Sequence, residues 1–138
     1  SRNQIMAIKE ESVTDQKNSL TVCLDNILRH AGITRNTEYD LAQGKTAIQI
    51  LEENMTGVQV LDLSGCSLDA VLYYVNQDIP VLAILEDGEA VLVTGFNEFN
   101  VVIMEPSTGK LYKKGMNDAT TWFAENGNHF ISYMKIDN

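Results

Sequence analysis

Cys23 is the residue whose type and position most directly suggest catalysis. It falls near the start of a predicted amphipathic helix, where unpaired backbone N–H groups favour a thiolate, the reactive form of cysteine. It also lies three residues after Leu20 and four before Ile27, on the apolar face of that helix. Because a free cysteine is commonly a small buried hydrophobic residue, a nucleophile and a core residue are both open interpretations.

The helix that carries Cys23 is predicted by its periodicity. Its apolar residues recur at the spacing of one helical face: Leu20, Leu24, Ile27, Leu28 and Ala31. Asn18 or Ser19 can cap its start, and Gly32 ends it.

The two cysteines and two histidines of the chain do not form a metal-binding pattern. Cys23, Cys66, His30 and His129 include no C-x-x-C pair and no pair with the spacing of zinc ligands. The acidic stretch 86–89 lacks the alternating spacing of a calcium loop and is predicted to be a hairpin turn. We therefore expect neither a metal nor a cofactor.

Composition narrows the classes of function. The chain has 138 residues, 44% of them hydrophobic, which predicts one domain over 1–138 with an N-terminal arm at 1–18. Its 10 basic and 19 acidic side chains give a net charge of −9, which argues against nucleic acid and anionic membranes as partners. The sequence shows no apolar run of the roughly 20 residues that a membrane span needs and no signal peptide. A start at Ser1 is compatible with excision from a larger protein.

The remaining elements change character along the chain. Helices are predicted over 41–55 and from 68 to 75, the second capped by Ser67, with a strand at 58–63 between them. Strands are then predicted at 81–85, 90–96, 101–104, 110–112 and 130–134, with one helix around Trp122 and Phe123 capped by Asn117 or Asp118. The apolar run 81–85 indicates a strand covered on both faces. Helices followed by closely spaced antiparallel strands indicate an α+β fold.

Three stretches carry a resemblance to a known family: 79–83 (IPVLA), 88–97 (GEAVLVTGFN) and 102–109 (VIMEPSTG). Together with the preceding helices, they resemble the bacterial papain-like cysteine peptidases of family thirty-nine, relatives of the peptidases that trim double-glycine leaders from bacteriocins. The resemblance extends from about residue 18 to 133. It implies a papain-like cysteine peptidase fold, in which N-terminal helices pack on an antiparallel β-sheet.

Transferred to this sequence, the resemblance implies a degenerate catalytic site. Cys23 is placed at the nucleophile position, Glu89 stands where the histidine is expected, and Glu105 stands at the position of the orienting aspartate. The oxyanion glutamine is expected six residues before the cysteine, where Lys17 stands, so Gln16 is a candidate displaced by one residue.

A glutamate at the histidine position opposes catalysis. Carboxylates are weaker bases than imidazole, and a negative charge beside a thiol raises its pKa. His30 lies about 10 Å from Cys23 along the helix, and nothing in the sequence directs His129 towards it. The sequence therefore favours a peptidase-like domain that lacks its catalytic histidine.

Such a domain is expected to be a non-catalytic module that binds a peptide or protein segment in the former substrate groove, or a structural module without a ligand. The alternative is an active cysteine peptidase with Cys23 as nucleophile. The oligomeric state is not determined by the sequence. Localisation is also unknown. The resemblance suggests the bacterial cell surface or secretion, as part of a larger protein.

Overall fold

A seven-stranded antiparallel sheet forms the centre of the computed structural model, which describes residues 4–5 and 17–136. Its strands are β1 (Gln4–Ile5), β2 (Val58–Asp62), β3 (Val81–Ile84), β4 (Ala90–Phe96), β5 (Asn100–Glu105), β6 (Lys110–Gly115) and β7 (His129–Lys135). They are arranged in the order β2-β7-β3-β4-β5-β6, and β1 pairs with the end of β4. Strands β3 to β6 are a meander, and β7 returns to pair with both β3 and β2.

Among the described residues, five helices cover the two faces of this sheet. They are α1 (Ser19–His30), α2 (Glu38–Ala42), α3 (Ala47–Asn54), α4 (Leu68–Val75) and α5 (Met116–Glu125). One core cluster packs α1 and α3 against one face of the sheet, and a second cluster packs α4 and α5 against the other face. The α+β arrangement predicted from the sequence is therefore confirmed, with helices on both faces of the sheet.

Alternation along the strands explains why their sequences are almost continuously apolar. In β3, Leu82 belongs to the first cluster while Val81 and Ala83 belong to the second, and all three are buried. Because successive side chains of a strand point to opposite faces, a sheet covered on both sides needs apolar residues at every position. The prediction of a doubly covered strand is confirmed over Val81–Ile84, one residue shorter than the predicted range 81–85.

The start of α1 decides which side chains lie at the candidate site. Asn18 is its N-cap and accepts a hydrogen bond from the Leu20 N–H at 2.8 Å, so Ser19 is the first residue inside the helix. Cys23 is consequently the fifth helical residue, one turn further in. The helix packs on β3 and β4 and against α3.

Two local predictions differ from the structure. The helix predicted over 41–55 is divided into α2 and α3 at Gly44, whose φ of +88° is a left-handed conformation that glycine adopts easily. A capping box between Thr46 and Gln49 then starts α3 anew. Helix α5 begins after Gly115 without a side-chain cap, so the predicted cap at Asn117 or Asp118 was wrong.

The other predicted elements agree with the structure to within a few residues. Ser67 accepts a hydrogen bond from Ala70 N–H and caps α4 as predicted. Of the predicted arm, Gln4–Ile5 forms a short strand, and residues 6–16 lie outside the described residues.

Candidate functional site

The Ser19 hydroxyl, at the start of α1, forms a hydrogen bond with the carboxylate of Glu89, the residue directly before β4. Ser19 Oγ donates a hydrogen bond of 2.5 Å to Glu89 Oε2 and accepts one of 2.9 Å from the Ala90 N–H. Glu89 is exposed at the end of the turn that joins β3 to β4, and Ser19 is half-buried. The residue in contact with the expected histidine position is therefore Ser19.

Cys23 lies on the core side of the same helix. Its side chain is 0% exposed and belongs to the first core cluster. Burial raises the pKa of the Cys23 thiol well above its usual value, and the negative charge of Glu105 raises it further. No hydrogen bond joins Cys23 to Glu89 within the described part of the chain. The thiol is thus neutral, enclosed by apolar side chains, and one helical turn away from the Ser19–Glu89 contact.

The Glu105 carboxylate forms its hydrogen bonds within the turn that follows β5. Its carboxylate accepts hydrogen bonds from the Ser107 N–H, at 3.2 Å, and from the Ser107 hydroxyl. Its charge influences Cys23 and also Tyr112, whose pKa is raised first by burial and then by Glu105. The carboxylate at the predicted orienting position therefore holds a turn together and has no imidazole to orient.

The predicted oxyanion donor cannot be placed, because Gln16 lies outside the described residues. Its neighbour Lys17 is exposed, and its ammonium group lies 4.0 Å from Asp25 Oδ2. Asp25 is buried and accepts hydrogen bonds from the N–H and the hydroxyl of Thr37. Lys17 thus approaches a carboxylate that ties α1 to the segment before α2.

Both histidines lie elsewhere in the molecule. His30 Nε2 lies 3.1 Å from the Asp78 carbonyl oxygen, at the far end of α1. His129 Nδ1 lies 3.4 Å from Ser64 Oγ, at the start of β7. Neither ring has a hydrogen bond to Ser19, Cys23 or Glu89 among the described residues.

Sequence reasoning considered Ser19 only as a helix cap and did not identify its hydroxyl as a polar group of the candidate site. Two signals could have identified it. The effect of a helix N-terminus is confined to its first turn, which contains Ser19 and excludes Cys23. The apolar spacing already placed Cys23 on the buried face. The decisive contact, however, joins residues 70 positions apart, which the sequence pattern does not reveal.

Within residues 17–136, no group of three or more His, Cys, Asp or Glu side chains is arranged to hold a metal ion. Among the described helices, none is both long and apolar enough to cross a bilayer.

Comparison with known proteins identifies the fold. No family model matches the sequence, and no curated protein matches it significantly. Among solved structures, the chain is similar to a crystal structure described as that of a C39-like peptidase from Bacillus anthracis, with a TM-score of 0.82. The likeness covers 100% of both chains at 15% sequence identity. The chain therefore has the α+β papain-like fold of a C39-like peptidase.

Proposed function

We propose that this chain is a peptidase-like domain that does not hydrolyse peptides and that acts as a binding or structural module. The observation that supports this proposal is the hydrogen bond from Ser19 to Glu89. In this proposal, the hydroxyl and the carboxylate stand where a cysteine peptidase needs a thiol and an imidazole. In this proposal Ser19, rather than Cys23, occupies the nucleophile position.

The chemistry of this pair opposes acyl transfer. A serine hydroxyl becomes a nucleophile only when a base removes its proton, and imidazole is the stronger base of the two candidates at neutral pH. The imidazolium formed in that step would later protonate the leaving amine. Glu89 is an acceptor in this contact, and no described histidine lies beside it to supply that proton.

The alternative, an active cysteine peptidase with Cys23 as nucleophile, is less well supported. Catalysis requires an accessible thiolate. Cys23 is fully buried, and both burial and Glu105 raise its pKa. A substrate carbonyl could reach this sulfur only if α1 separated from the sheet.

The partner that we propose is a peptide or protein segment lying beside Ser19 and Glu89. The fold that accommodates extended peptides in peptidases offers strand edges and side-chain pockets without requiring catalysis. Glu89 is exposed there, so a cationic side chain in the bound segment would be favoured. A panel of extended peptides, assayed by fluorescence anisotropy, separates a binding role from a purely structural one. Binding that is lost in Glu89→Gln supports the former, and no binder supports the latter.

A reactivity experiment tests the non-catalytic assignment. In a Cys66→Ser background, we expect a thiol-directed peptidyl electrophile to leave Cys23 unlabelled and the protein to show no turnover of a double-glycine leader peptide. Rapid labelling of Cys23 with turnover, both lost in Cys23→Ala, would establish the active alternative instead.

Rebuilding the pair tests whether Ser19 occupies the nucleophile position. Ser19→Cys combined with Glu89→His should be alkylated by iodoacetamide at pH 7 at least about tenfold faster than Ser19→Cys alone, because an imidazolium stabilises a thiolate and a carboxylate destabilises it. Cys66→Ser is again the background. Equal rates for the two proteins would contradict the assignment. Glu89→His alone should not restore full activity, because Lys17 rather than glutamine stands at the expected oxyanion-donor position.

A further inference from the structure

A cavity of about 600 Å³ lies at the opposite end of α1 from Ser19. The helix has 12 residues, so its two ends are roughly 16 Å apart. The cavity is bounded by the last turn of α1, the segment before β2, the loop after α4 and the end of β7. Nothing in the proposed function above uses this part of the molecule.

Asp78 is the first indication that the cavity has a function. Its φ is +64°, in the left-handed region that residues with a side chain rarely adopt. The His30 ring holds this loop, because the Asp78 carbonyl can only accept and His30 Nε2 therefore donates to it at 3.1 Å. The carboxylate remains 59% exposed at the cavity. The carboxylate also lies 3.7 Å from His30 Nε2, and because it is largely exposed it keeps oxygen atoms accessible to an ammonium group in the cavity.

Tyr133 supplies a second, independent indication. Its side chain is 3% exposed and lines the cavity, but no described residue forms a hydrogen bond with its hydroxyl. Burial and the nearby Asp78 carboxylate both raise the pKa of Tyr133, so the hydroxyl keeps its proton and is a donor. Buried polar groups normally have a partner. The Tyr133 hydroxyl is not one of the fully enclosed polar atoms without a partner, so it is open to the cavity and can donate to an acceptor on a ligand there.

The rest of the lining combines a positive charge with an apolar wall. Lys135 follows Tyr133 by two residues on β7 and therefore lies on the same face of the strand. It has no ion pair with any residue in the described ranges. Met55 and Val58, which belong to or pack against the first core cluster, provide apolar surface.

We propose that this cavity binds a small zwitterion with an apolar body, namely a free apolar amino acid or dipeptide. Its ammonium group is bound by Asp78, and its carboxylate is bound by Lys135 and the Tyr133 hydroxyl. Its side chains lie against the apolar wall. Carboxylate and ammonium groups facing one cavity match both charges of such a ligand, whereas a simple anion or cation would leave one of them unsatisfied.

The probe for this proposal is leucyl-leucine, titrated into the full chain at pH 7 and followed by ¹H–¹⁵N NMR. We expect shifts at residues that line the cavity. N-acetyl-leucyl-leucine lacks the ammonium group and leucyl-leucinamide lacks the carboxylate. Each should bind about tenfold or more weakly, because a hydrogen-bonded charge is lost in each case.

Variants connect each end of the ligand to a residue. Asp78→Asn keeps a side chain that tolerates the left-handed conformation and removes the charge, so it should abolish the preference for leucyl-leucine over its acetylated form. Lys135→Gln should abolish the preference over the amide, whereas the matched control Lys113→Gln, on β6, should change neither. Shifts outside the cavity, no shifts at about 10 mM ligand, or equal affinity for the capped forms would each overturn the proposal.

Discussion

The polar groups at the two ends of α1 differ in how many hydrogen bonds they form within the protein. At the first end, the Ser19 hydroxyl donates to Glu89 and accepts from the Ala90 N–H, so its hydrogen-bonding capacity is used within the protein. At the last end, the His30 ring fixes Asp78, but the Asp78 carboxylate is largely exposed, and the Tyr133 hydroxyl, in its buried side chain, has no partner among the described residues.

This difference shows that the position expected from the fold is not necessarily the position available to a ligand. The family resemblance predicts the chemistry near the start of the first helix, where Ser19 and Glu89 form a hydrogen bond with each other. At the other end, the Asp78 carboxylate, the Tyr133 hydroxyl and Lys135 line a cavity. Polar and charged groups that converge on one cavity can bind a ligand of complementary charge.

The largest effect on stability should come from a substitution at Cys23, which lies in the core beneath the first turns of α1. Cys23→Ser places a hydroxyl among apolar side chains, and we expect the free energy of unfolding to fall by about 1–3 kcal/mol. Urea denaturation measures it. Cys66→Ser, in a half-buried turn, is the matched control and should cost about 0.5 kcal/mol. Equal losses would show that Cys23 is not a core residue.

High pH should destabilise the same region. The folded pKa of Cys23 is raised, so the stability it contributes is complete below the pKa of the unfolded thiol and is lost as pH rises above it. We expect a loss of about 1.4 kcal/mol one pH unit above about 8.5. Tyr112 and Tyr133 act in the same direction at higher pH. The difference between the wild-type chain and Cys23→Ala isolates the thiol, and parallel pH profiles would contradict this prediction.

Removing the hydrogen bond between Ser19 and Glu89 should lower the free energy of unfolding by less than Cys23→Ser does. Ser19→Ala eliminates the hydrogen bond to Glu89 and leaves the Ala90 N–H without its acceptor, at an expected cost of about 1 kcal/mol. Glu89→Gln should cost less, because it keeps an acceptor at an exposed position. A double-mutant cycle in thermal or urea denaturation measures the coupling, and strictly additive effects would show that the contact contributes nothing.

The smallest effect on stability should come from a substitution at Asp78, which lies beside His30 at the end of α1. Asp78→Asn is expected to change the free energy of unfolding by no more than about 0.5 kcal/mol, because asparagine tolerates the left-handed backbone and the carboxylate is largely exposed. The same substitution should abolish recognition of the ligand's ammonium group. A large loss of stability in urea denaturation would instead assign Asp78 a structural role.

Much of the fold could be predicted from the sequence. The apolar run at 81–85 indicated a strand covered on both faces, and the Ser67 cap with its apolar spacing predicted α4. The boundary between α2 and α3 could not be predicted by periodicity, because the apolar spacing continues through Gly44 while the backbone there turns left-handed.

The sequence by itself determined the class of fold, because helix and strand periodicity depend on neighbouring residues whose geometry is fixed by the backbone. Only the tertiary structure decided that Ser19 rather than Cys23 meets Glu89, and that His30 and Asp78, 48 residues apart, hold the edge of one cavity. Contacts between distant residues depend on strand register and helix position together. A shift of one helical turn exchanges a buried thiol for an accessible hydroxyl.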